Sequence, residues 1–210
     1  MVIQRFRPYF TGQGVQLEEL SRALARRGVE VTIVTAIRGD DAPARETAPG
    51  CRIRRLRSDL APESLRRWAL GPIFAARAAA DLVSRRREID LVHVHGVNDA
   101  LYTAWAFGRG QGVPVVLELT LTGADDPRSV ASSTNRLTAL RYAIYRRMDG
   151  YVAISPQLAD ALRVEVGELE ARTALREYVG DTEVGSDARG REHAALARAR
   201  ARIPIGRRPR

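Results

Sequence analysis

Over its first 160 residues the chain alternates between short β-branched runs and longer stretches with helical spacing, and no other feature restricts its fold as much. Residues 2–4, 29–35, 51–56, 91–96, 113–119 and 150–155 read as strands. Between them, Val15, Leu17, Leu20, Leu24 and Ala25 recur at helical intervals up to a Gly28 exit. Residues 62–87 read as helix with a break at Gly71-Pro72, and residues 98–110 as a helix leaving through Gly108 and Gly110. A further helix opens at Thr134 or Asn135 and runs through Met148, and another starts at Pro156 and ends around Glu165. Residues 39–50 and 120–134 read as polar loops. Alternation this dense predicts an α/β, Rossmann-like fold, a mostly parallel β-sheet with helices on both faces.

The pattern stops near residue 166. Residues 167–210 hold scattered apolar side chains without a strand-like run, and residues 189–210 contain eight arginines in 22 positions. The expected organisation is therefore one domain over 1–165 and a poorly structured, arginine-rich tail over 166–210, as in a truncated or frameshifted product. An apolar share of 45% among 210 residues suffices for one core. The single Cys51 excludes an intramolecular disulfide and is read as a buried structural thiol. No apolar run approaches the length of a membrane span, and the first residues carry no leader-like stretch. The expected location is the cytoplasm, with contact to the inner face of the membrane left open. All 34 basic residues are arginine. Absence of lysine reads as coding bias rather than as a selected phosphate-binding surface, so the net charge of +9 does not make nucleic acid the expected partner.

In an open parallel sheet, ligands bind beyond the carboxyl ends of the strands, and four clusters fall there. Gly12, Gln13 and Gly14 follow the first strand, where glycines permit close backbone approach to an anion or simply make a turn. His95, Gly96 and Asn98 follow the fourth; His93 and His95 share a face by period two, His93 as a core histidine and His95 as a ligand contact or loop anchor. Glu118, Thr120 and Thr122 lead into Asp125 and Asp126, acids that fit sugar hydroxyls, a divalent ion or plain solvent. Ser155 ends the last strand and can cap the helix at Pro156. No metal site is expected, because His193 lies in the tail and no His/Cys cluster has ligand spacing.

Taken in order, these stretches resemble the N-terminal half of the family 4 retaining glycosyltransferases, nucleotide-sugar enzymes of GT-B fold with two facing Rossmann-like domains. The resemblance rests on residues 8–14, 17–32, 90–96, 112–116 and 149–155. It implies an acceptor-side domain. Gly12, Gln13 and Gly14 match the loop that meets donor phosphates, while His95, Gly96, Asn98, Glu118, Thr120, Thr122 and Ser155 sit where acceptor or sugar contacts are expected. No tightly bound cofactor is implied, only a nucleotide-sugar donor. Two departures stand out: Thr120 replaces a histidine common near the reaction centre, and no donor domain with its paired glutamates follows. No residue therefore receives a catalytic role. The expected function is sugar transfer to a hydroxyl acceptor (small molecule, polysaccharide or lipid-linked) by a completed form. The alternative is a non-catalytic partner subunit that docks onto a separate donor-domain chain.

Overall fold

The computed structural model describes residues 1–37, 42–59, 63–132, 136–166 and 173–175. Among these residues, eight strands form one sheet: β1 (Val2–Ile3), β2 (Thr32–Ile37), β3 (Arg45–Ala48), β4 (Cys51–Arg57), β5 (Val92–His95), β6 (Val115–Leu119), β7 (Gly150–Ala153) and β8 (Thr173–Leu175). Their order is β3-β4-β2-β1-β5-β6-β7-β8. Every pairing is parallel except β3 with β4. Among the described residues, six helices intervene: α1 (Gly12–Ala25), α2 (Glu63–Ser84), α3 (Ala100–Gln111), α4 (Pro127–Ser132), α5 (Arg136–Tyr145) and α6 (Pro156–Val166).

Period-two alternation gives the sheet two apolar faces. Val2, Val34, Val94, Leu117 and Tyr151 point to one, where Phe74, Ala78 and Leu82 of α2 and Leu101, Ala104 and Phe107 of α3 close the larger core. Leu158, Ala159 and Leu162 of α6 belong to the same core. Ile3, Ile33 and Ile53 point the other way and pack with Leu17 of α1. Cys51 is buried in this smaller core, and burial raises its thiol pKa. The mostly parallel Rossmann-like sheet expected from the alternation is the one observed.

Several local expectations are corrected. Helix α2 runs unbroken through Gly71-Pro72; Pro72 points outward, and Gly71 lies against Asp99, where a Cβ would stand 1.8 Å from Oδ2. Helix α3 passes Gly108 and Gly110 and ends at left-handed Gly112, with φ of 65°. Residues 45–48, read as loop, pair as β3 because the turn at Gly50 (φ 87°) folds them back on β4. Helix α4 also arises within an expected loop, held by Asp126, whose carboxylate accepts from Ser129 N–H at 3.0 Å. Beyond residue 166, where no strand was expected, β8 adds to the sheet beside β7, with Tyr151 opposite Thr173. The rest of the expected tail, and the helix start at Thr134 or Asn135, lie outside the described residues. Among the described residues, no helix is long and apolar enough to cross a membrane.

Candidate functional site

The chain departs from β1 in one direction, to β2 and β4, and later returns to β5 on the other side. The loops leaving β1 and β5 therefore diverge at the carboxyl edge, the place where open α/β sheets form a crevice. A cleft of about 570 Å³ lies there, lined by Gln4, Arg5, Tyr9, Phe10 and Thr11 after β1, Ala36, Ser58, Leu70 and Gly71, and Asp99 at the start of α3. Phe10 is 88% exposed at this rim. Arg5 and Asp99 give the cleft one group of each charge. Because Gly71 has no side chain, Asp99 can lie against α2 instead of clashing with it. Of the cluster that follows the first strand, Thr11 lines this cleft, whereas Gly12, Gln13, Gly14, His95, Gly96, Asn98, Glu118, Thr120, Thr122 and Ser155 do not. The signal available was the strand order itself, since Arg5 and Asp99 follow the two strands that flank the reversal.

Those sequence-selected residues gather instead in two groups beside the cleft. In the first, the Asp125 carboxylate accepts from the N–H groups of Val97 (2.8 Å), Thr120 (2.9 Å) and Leu121 (3.0 Å), and from the Thr120 hydroxyl at 2.8 Å. Gly96, at φ 74°, turns the chain against this carboxylate. The Gln13 amide donates to Thr120 Oγ1, so the start of α1 is tied to the loop after β6. Asp125 is thus a fastening between two loops. Asp126 fastens its own loop in the same way. Burial would raise its pKa, but the hydrogen bonds from Ser129 and Gly123 outweigh that and hold it below the usual range.

Several other candidates are taken up by the backbone. Thr11 caps α1 by accepting from Gly14 N–H at 3.0 Å, so the helix begins at Gly12 rather than after the glycines. Gly14 is buried against Phe6, and only Gly12 faces open space. Asn98 accepts from Ala100 N–H at 2.9 Å and donates to the His95 carbonyl at 2.9 Å. Ser155 accepts from Leu158 N–H at 3.3 Å, the capping role expected of it. Thr122 is exposed in the loop after β6.

The second group is buried in the sheet. His95 lies opposite Glu118 in the β5–β6 register, and the two-residue spacing brings His93 to the same face. The imidazole centroids of His93 and His95 are 4.3 Å apart. His93 Nε2 lies 3.3 Å from Glu118 Oε2, and His95 Nδ1 lies 3.4 Å from Oε1. Burial, with His95 alongside, lowers the His93 pKa to about 4 against the opposing pull of Glu118. Burial alone would raise the Glu118 pKa, yet the two histidines outweigh it and hold the carboxyl well below its ordinary value. His93 is neutral and Glu118 ionised near neutral pH. Glu118 was singled out in the sequence as a sugar contact, but its place beside the two histidines was not legible there because it comes from the neighbouring strand.

The family model described as a glycosyl transferase 4-like domain matches residues 11–178. None of the curated proteins compared matches the chain. Two solved structures of sucrose-phosphate synthase from Thermosynechococcus elongatus are similar in fold. One aligns at a TM-score of 0.57 and 18% identity over 96% of this chain and 97% of that chain. The other aligns at 0.59 and 21% identity over 79% of this chain, but over only 42% of its own length. With the model taking in most of the sequence, and the sheet order and carboxyl-edge cleft in place, this chain belongs to the glycosyl transferase 4-like domain family.

Proposed function

We propose that this domain binds the acceptor of a retaining glycosyl transfer, and that a donor-binding domain facing its carboxyl rim supplies the nucleotide sugar. In the transfer, the bond from the anomeric carbon to the phosphate oxygen breaks, a bond to the acceptor oxygen forms, and the hydroxyl proton leaves. The observation that carries this reading is the cleft at the strand-order reversal, with Arg5 and Asp99 on its wall. Asp99 can accept from sugar hydroxyls; Arg5 can pair with an anionic group or donate to ring oxygens. Gln4, Ser58 and Tyr9 add neutral hydrogen-bonding partners around the same space.

Exposed Phe10 and Leu121, in the loops after β1 and β6, favour a second body packed over this rim. It stands on the same polypeptide or on a separate chain, and in the latter case this domain is the acceptor-binding subunit. Ligand-observed NMR with a panel of hexoses and hexose phosphates tests the reading. One class should bind the purified chain and lose at least about tenfold in affinity in D99A or R5A, a loss of roughly 1.4 kcal/mol. Nucleotide sugars should not be turned over without a donor domain. Binding that D99A and R5A leave untouched, or unaided turnover, would overturn the proposal.

A further inference from the structure

We propose that His93, His95 and Glu118 form a site for one divalent transition-metal ion of the zinc class, set in the sheet beneath the carboxyl rim. Residues two apart on a strand project to the same side, and Glu118 lies level with His95 on the adjacent strand. Three ligand side chains therefore converge through sheet geometry alone, with no loop that must be ordered first. One nitrogen from each histidine and a carboxylate oxygen lie within 4.8 Å of one another.

The separations are long for hydrogen bonds. The histidine-to-carboxylate distances of 3.3 and 3.4 Å exceed the usual N–H···O range of about 2.7–3.2 Å. The two imidazoles face different oxygens of Glu118, and a tetrahedral zinc site with ligand bonds of about 2.0–2.2 Å, and neighbouring ligand atoms roughly 3.3–3.6 Å apart, would draw one atom from each of the three residues together from within their present 4.8 Å. Among the described residues, His93 Nε2 and both ring nitrogens of His95 are buried without a hydrogen-bond partner. Such groups are rare in folded proteins, and an ion at their centre would account for His93 Nε2 and one of the two His95 nitrogens. Two imidazoles with one carboxylate suit zinc or cobalt; magnesium and calcium prefer oxygen ligands throughout. Three protein ligands leave a fourth position for water or an incoming oxygen.

The test uses the full chain, stripped with a chelator and titrated with Co2+ as a spectroscopic probe. One equivalent should bind and give the intense visible absorption of four-coordinate cobalt, and Zn2+ should displace it. The melting temperature should also rise with Zn2+ concentration, a readout that requires no substituted chain. H95Q or E118Q should weaken uptake by at least about 100-fold, the upper end of what losing an outer-sphere partner costs. H193Q removes the third histidine of the sequence and should leave uptake unchanged. No Co2+ spectrum together with no Zn2+-dependent shift in the unsubstituted chain would overturn the site. So would uptake that vanishes in H193Q, or that persists in a folded H93Q/H95Q double variant.

Discussion

At the scale of single residues, Asp125 carries more of the site's order than any side chain that could touch a ligand. It is 4% exposed and accepts four hydrogen bonds from two loops. Removing it leaves the part-buried N–H of Val97 and the buried N–H of Thr120 without an acceptor. D125A should therefore lose about 3 kcal/mol in urea unfolding, the scale of hydrogen bonds to a buried charge. T120V keeps the backbone contacts and should lose only about 1 kcal/mol. Equal losses in the two variants would show that the carboxylate is not the fastening. The sequence made both residues visible as a polar cluster after a strand, but it could not rank them. Whether a loop aspartate meets solvent, a cation or the backbone depends on where residue 97 arrives, and that is fixed by the pairing of β5 with β6.

At the scale of elements, α3 separates two glycines that look alike in the sequence. A Cβ on Gly108 would meet Val115 Cγ2 at 2.3 Å and the Val113 carbonyl at 2.7 Å, whereas one on Gly110 would meet nothing within 4 Å. G108A should lift the helix from β6 and destabilise by about 1–3 kcal/mol, as overpacking does. G110A should stabilise by about 0.5–1 kcal/mol through helix propensity. Thermal melts of the two variants should move in opposite directions, and a shared direction would count against this packing. Strands and long helices with strong periodicity were legible because burial on one face writes its period into the sequence. Strand β3, over Arg45–Ala48, was not: it has no apolar alternation and forms because Gly50 folds it onto β4. The continuity of α2 was hidden for a related reason, since Gly71 answers to Asp99, 28 positions away in the chain.

At the scale of the whole molecule, β8 is the edge strand beside β7 and gives the backbone of β7 a second neighbour. A chain cut after residue 170 loses that strand and makes the longer, more apolar β7 the sheet edge. Such a chain should melt several degrees lower and elute as larger, concentration-dependent species in size exclusion. An unchanged melting temperature and a monomeric profile would mean that β8 adds nothing to the sheet. The parallel arrangement has a further consequence. Because β1, β4, β5, β6 and β7 run the same way, α1, α2, α3, α4 and α6 all begin at one rim. Each such end carries the positive pole of its helix, equivalent to roughly half an elementary charge. Helices α1 and α6 start from the uncharged caps Thr11 and Ser155 and have no acid in their first turns. Their poles are not neutralised there. The peptide groups at the starts of α1 and α6 thus add a positive contribution to a rim whose side chains include the carboxylates of Asp99, Asp125 and Asp126.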